Sequence, residues 1–102
     1  MKRMAWEAFW SHPDRFLVVD VRAPEAFRRG SLPGAVNLPL EALAKGGYRL
    51  EADRPLLVVC EYGQKASLAA LYLEADGFQA YVLEGGLSAI PEETRKSLSI
   101  AL

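Results

Sequence analysis

The chain has 102 residues, 51% of them hydrophobic and 25% charged, with a net charge of −1. That length predicts one domain over residues 1–102, able to bury a core without disulfide or metal, and the near-zero charge leaves no electrostatic case for nucleic acid or an anionic membrane. One cysteine excludes an internal disulfide and a multi-cysteine metal site; no apolar run is long enough to span a bilayer and no leader pattern opens the chain, so a cytoplasmic protein is expected.

Met1 to Met4 offers a short candidate edge strand. From Ala5 to Ser11, the three-and-four spacing of Trp6, Phe9 and Trp10 predicts a helix whose apolar face joins the core. His12-Pro13-Asp14 breaks that helix. His12, the sole histidine, has no ligand-type neighbours and reads as a surface residue. Phe16-Leu17-Val18-Val19-Asp20 is a continuous apolar run, a strand buried on both faces. Pro24 then stands at the first position of a helix, with Glu25 in its first turn and Gly30 as its stop. Between strand and helix, Asp20 and Arg22 read as a structural ion pair rather than as substrate groups.

Ser31-Leu32-Pro33-Gly34 is turn chemistry, Ala35 to Leu38 a short strand, and Pro39 opens a helix over Leu40 to Lys45. A polar connection, Tyr48 to Pro55, leads into Leu56-Leu57-Val58-Val59, a second doubly buried strand that ends in Cys60. In the tight loop that follows, Gly63 is free to take a positive φ. Ala66, Ala69, Ala70, Leu71 and Leu73 make a strongly apolar helix, closed by Asp76-Gly77-Phe78 as a C-cap. Ala80 to Leu83 is the last strand, and Glu84-Gly85-Gly86 turns into a helix from Leu87. Pro91-Glu92-Glu93 starts one more helix. The tail, Ser97 to Leu102, is apolar enough to pack on the body or to form a contact surface. Alternating strands and helices predict a parallel α/β sheet with helices on both faces. Ligands of such sheets bind beyond the carboxyl ends of the strands, where Asp20, Cys60 and Glu84 fall.

A lone cysteine after an apolar strand is by itself a small buried hydrophobe. Here a Gly-containing turn, a cation five residues on and the start of a helix accompany it, which are the surroundings of an activated thiolate. Loop N–H groups, the positive end of the helix dipole and the Lys65 ammonium favour the charged sulfur. Glu61 opposes them if its carboxylate turns inward.

Three segments resemble the single-domain rhodanese family, over about Phe16 to Ile90. Asp20-Val21-Arg22, with Glu25-Ala26-Phe27 and the run from Gly30 to Pro39, is similar to its first signature. Cys60-Glu61-Tyr62-Gly63-Gln64-Lys65 is similar to its six-residue catalytic loop, and the run from Leu83 to Ala89 to its closing signature. The resemblance implies a three-layer α/β sandwich around a five-stranded parallel sheet. It also implies a sulfurtransferase in which Cys60 takes the outer sulfur of thiosulfate, or of a persulfide donor, and holds it as a persulfide. Cyanide or a thiol, small or on a partner protein, then accepts that sulfur in a ping-pong scheme. Glu61, Tyr62, Gly63, Gln64 and Lys65 would cradle the persulfide and the anionic donor with their amides, as an oxyanion hole does. Neither metal nor organic cofactor is implied.

Four positions depart from the family pattern. Ser31 stands where His is frequent, Glu61 where a neutral or basic residue is usual, Lys65 where Arg is frequent, and Ile90 where Trp is common. Lys65 offers a point charge in place of a bidentate grip on a sulfonate. Glu61 and Lys65 motivate a second reading, a non-catalytic binding or regulatory module that has kept the fold. Arsenate-reductase or phosphatase chemistry calls for a longer loop ending in Arg.

Overall fold

The computed structural model describes residues 1–102. Strands β1 (Lys2–Met4), β2 (Leu17–Asp20), β3 (Val36–Asn37), β4 (Leu56–Val59) and β5 (Ala80–Leu83) form one sheet in the order β1-β5-β4-β2-β3. Every pairing is parallel. Helices α1 (Trp6–Trp10), α2 (Pro24–Arg28), α3 (Leu40–Lys45) and α4 (Gln64–Ala75) fill the connections between strands, and α5 (Glu92–Ser97) follows β5. The edge strand at the start of the chain is present, short as the sequence required. No helix is long and apolar enough to cross a membrane.

The two continuous apolar runs become β2 and β4, two of the three inner strands, because only a strand covered on both faces needs hydrophobic residues at every position. All four β4 residues are fully buried. Alternation then sorts the core into two layers. Leu56, Val58 and Cys60 face Val19, Val21 and Val82 together with Leu43 of α3 and Ala66, Ala69, Ala70 and Leu73 of α4. Leu57 and Val59 face the other way, toward Trp6, Phe9, Leu87, Ile90 and Ile100. Full burial of each Val or Leu contributes roughly 1.5–3 kcal/mol, so the β4 centre is where a cavity would destabilise most. Ile90 is 1% exposed within the second layer, so this departure from the family pattern is a core residue.

Helix α4 ends as Asp76-Gly77-Phe78 predicts. Gly77 takes φ +94°, and its N–H donates to the Glu74 carbonyl while the Phe78 N–H donates to that of Leu73. Phe78 also packs on the first core layer. These are the paired bonds of a Schellman motif with its hydrophobic contact.

The structure corrects three sequence expectations. Trp10 is 40% exposed, stacked on Trp6 at 4.8 Å between ring centroids rather than inserted in the core; a five-residue helix is too short to bury three aromatics. Leu71, counted with the apolar face of α4, is 53% exposed. The helix expected from Leu87 is a single 3-10 turn, Gly86–Ala89. Of the two readings of the tail the structure takes the packed one for Ile100, at 6% exposed, while Leu102 stays at the surface.

Candidate active site

The register of β2, β4 and β5 brings their carboxyl ends side by side, with Asp20 opposite Val59 and Val58 opposite Val82. Cys60 stands one residue past the end of β4, and the chain must reverse there to lay α4 back across the sheet. Gly63 makes the reversal possible with φ +103° and caps α4. The helix is thereby pinned with its first turn over the cysteine.

The Gly63 N–H donates to Cys60 Sγ at 3.1 Å and the Ala66 N–H at 3.3 Å. Ala66 is the third residue of α4, where backbone N–H groups have no partner inside the helix. An N–H that the helix leaves free is thus directed at the sulfur, and the helix dipole points the same way. The loop is tied down from inside as well. The Ser67 hydroxyl and N–H both donate to the Gly63 carbonyl, at 2.8 and 3.0 Å.

From behind, the turn after β5 clamps the loop. The Leu87 N–H donates to the Cys60 carbonyl at 2.9 Å and the Ser88 N–H to the Glu61 carbonyl at 3.0 Å. Those two carbonyls are engaged behind the loop, while the Gly63 and Ala66 N–H groups turn to the sulfur. Gly86 makes the contact possible. A Cβ there would lie 2.6 Å from the Cys60 and Glu61 carbonyl oxygens.

The structure separates the candidate residues into groups. Cys60 is only 3% exposed. Glu61 is half-buried, whereas Tyr62, Gln64 and Lys65 are exposed. Lys65 lies on a groove of about 160 Å³ together with Val21, Ala23, Pro24, Pro39, Leu40 and Glu41. Tyr62, Gly63 and Gln64 line a second cleft, of about 210 Å³, with Arg3, Ser67, Glu84 and Gly85. The loop therefore stands as a ridge between two depressions, with the sulfur beneath it.

Asp20 and Arg22 lie on the opposite face from Cys60, because the Val19 and Val21 side chains that flank Asp20 join the cysteine's layer. Asp20 Oδ1 accepts from the Arg22 Nε and main-chain N–H, both at 3.0 Å, and Oδ2 accepts from Arg22 Nη2 at 2.8 Å. Ser31 Oγ donates to the same Oδ2 at 2.7 Å, and Arg22 Nη2 also donates to the Gly30 carbonyl at 2.8 Å. Ser31, a departure from the family pattern, thus supplies a short hydroxyl bond to a carboxylate that is 0% exposed. Asn37 Nδ2 donates to the Asp20 and Arg22 carbonyls and fastens β3 to this node.

Two contributions escaped the sequence. The amides expected on the sulfur spanned Glu61 to Lys65, yet Ala66 is one of the two that reach it. Counting free N–H groups from Gly63 as the helix cap would have found Ala66. The clamp by Leu87 and Ser88 is a main-chain contact between distant segments, and no side-chain pattern announces it. His12 is exposed beside Ser11, as a surface residue should be.

The family model for the rhodanese-like domain matches residues 5–93. The chain is 44% identical over 73 residues to the thiosulfate sulfurtransferase GlpE of Shewanella oneidensis, covering 71% of this chain and 72% of that one. It is 36% identical over 83 residues to the protein of the same name from Pseudomonas syringae, covering 76% and 78%. Among solved structures, a rhodanese-related protein of Thermoplasma volcanium superposes with a TM-score of 0.82 at 26% identity, covering 91% of this chain and 93% of that one. A rhodanese homolog of Thermus thermophilus gives 0.74 at 44% identity, covering 87% and 100%. This kinship supports sulfurtransferase activity in general. By sequence and by fold, the chain belongs to the rhodanese-like domain family.

Proposed function

We propose that this protein moves sulfane sulfur from thiosulfate or a persulfide donor to a thiol or cyanide acceptor, through a persulfide on Cys60. The observation that carries the reading is the pair of main-chain N–H bonds to Cys60 Sγ at the start of α4. Fixed amide dipoles stabilise negative sulfur without reorganising as charge develops. In the first half-reaction the Cys60 thiolate attacks the outer sulfur of thiosulfate. The sulfur–sulfur bond of the donor breaks and its electron pair leaves with sulfite, so the two-electron count closes without a cofactor. In the second half-reaction an acceptor thiolate or cyanide attacks the outer sulfur of the persulfide, and Cys60 regains its thiolate.

With Cys60 3% exposed, a donor reaches it by a narrow terminal sulfur rather than by a bulky head. The surroundings favour persulfide donors alongside thiosulfate. Lys65 is a point charge that shares its groove with Glu41, so a dianion finds one cation and one anion there.

Intact mass after incubation with thiosulfate, and separately with cysteine persulfide, tests the proposal. One sulfur atom should be gained by the wild type and none by Cys60→Ser. No gain from either donor would overturn it in favour of the non-catalytic module.

A further inference from the structure

Helix α4 buries Ala66, Ala69, Ala70 and Leu73, so its solvent pole carries Gln64, Leu68, Leu71 and Ala75. A surface helix places polar residues at that pole. Instead Leu68 is 46% and Leu71 53% exposed, with Tyr72 37% exposed on the flank. Tyr62, 61% exposed, stands in the loop just before the helix. Four of the eight large hydrophobic side chains exposed on this protein thus gather on the loop and the helix it opens. Gln64 joins them: it heads the apolar row and also lines the cleft shared with Tyr62.

The size and charge of the patch select its occupant. These side chains present a few hundred Å², in the range of functional patches on monomers. A stable dimer buries about 800 Å² on each partner, so the row is too small to hold a second copy permanently. Its flanking charges are Lys65 on one side and Glu74 on the other, which leaves no basic rim for an anionic membrane. A transient protein contact that begins at the sulfur-bearing loop meets both constraints.

Resting on the persulfide reading above, we propose that Leu68, Leu71 and Tyr72 dock a protein acceptor that carries the receiving thiol. The acceptor sets an apolar side chain against the two leucines and brings its cysteine to the loop. Its thiolate attacks the outer sulfur of the Cys60 persulfide. The sulfur–sulfur bond to Cys60 breaks, the electron pair returns to Sγ as thiolate, and the acceptor leaves with the sulfane sulfur as its own persulfide.

The test uses the full chain loaded with radiolabelled sulfane sulfur, as wild type and as the double variant Leu68→Gln with Leu71→Gln. Transfer is measured to dithiothreitol and to the reduced soluble proteins of the source organism. The labelled acceptor is identified by its modified cysteine, purified and assayed again. Both forms should load equally and transfer equally to dithiothreitol, which also shows the variant to be folded. Transfer from the variant to the purified acceptor should fall by roughly tenfold or more. Equal transfer by both forms, or no protein acceptor faster than dithiothreitol, would overturn the proposal. So would a wild-type dimer in sedimentation that the variant abolishes, since the second copy would then be the occupant. Failure of Cys60 to load at all would instead strike the underlying persulfide reading.

Discussion

At the scale of single residues, the buried pair of Asp20 and Arg22 shows why one fold position tolerates change and its neighbour does not. The carboxylate has four donors on it, three from Arg22 and one from Ser31, and no exposure. Removing the Ser31 hydroxyl leaves Asp20 Oδ2 with its Arg22 bond, so Ser31→Ala should cost about 1 kcal/mol, a typical net hydrogen bond. Arg22→Ala leaves a buried anion without its cation and should cost about 3–5 kcal/mol. Urea unfolding of the two variants checks the order. Equal losses would show that the charge is relieved by some other group. Two left-handed positions make a second pair. Gly77 sits at φ +94°, and a Cβ added there would meet nothing within 4 Å, so Gly77→Ala should cost about 1 kcal/mol through backbone strain alone. Ser99, at φ +59°, ends α5 in the same conformation, and Ser99→Gly should stabilise by roughly 0.5–1 kcal/mol. Thermal melts decide both signs.

At the scale of elements, the sulfur's surroundings are made by three pieces of chain that each leave something unfinished. Strand β4 ends and leaves Cys60 at the sheet edge; α4 begins and leaves N–H groups without partners; the turn after β5 supplies N–H groups to the loop carbonyls. Gly86 is where the third piece touches the first. Gly86→Ala forces a Cβ to 2.6 Å from two carbonyl oxygens, at φ +67°. The loop or the turn must move. Stability should drop by roughly 1–3 kcal/mol. Sulfur loading of Cys60 should slow even where circular dichroism shows the variant folded. Loading at the wild-type rate would mean that the clamp does not set the loop amides.

At the scale of the whole molecule, the long connection from Tyr48 to Pro55 crosses from α3 to β4 without regular structure, and Tyr48 anchors it to the far end of α4 by donating to Asp76. Partial burial, first, and then the bond to Asp76 and its negative charge push the Tyr48 hydroxyl up to about 12 from the ordinary 10.0. The folded state thus holds this proton more tightly than the unfolded chain does. Its contribution to stability is complete below about pH 10 and is lost as the pH rises toward 12. Wild type should therefore exceed Tyr48→Phe in stability by a constant margin through neutral pH, and the margin should shrink above about pH 10. A margin unchanged up to pH 12 in urea titrations would exclude the bond as its source.

Local composition by itself determined which segments are strands and where the chain turns. A run such as Leu56 to Val59 is stable only between two helical layers, and a glycine such as Gly77 marks a conformation that other residues resist. It likewise determined that Cys60 ends an inner strand just ahead of a helix. Only the tertiary structure decided that Ala66 rather than its neighbours completes the sulfur's bonds, and that Leu87 and Ser88 brace the loop. It also turned Asp20 and Arg22 away from the cysteine and left Leu71 in solvent. Those outcomes depend on the rotation of α4 about its axis, on the register of β2 against β4, and on contacts between the residues at 60–61 and 86–88, distant along the chain. Side-chain periodicity reports how apolar a face is, but not where the sheet beneath it ends or which main-chain groups meet across the gap.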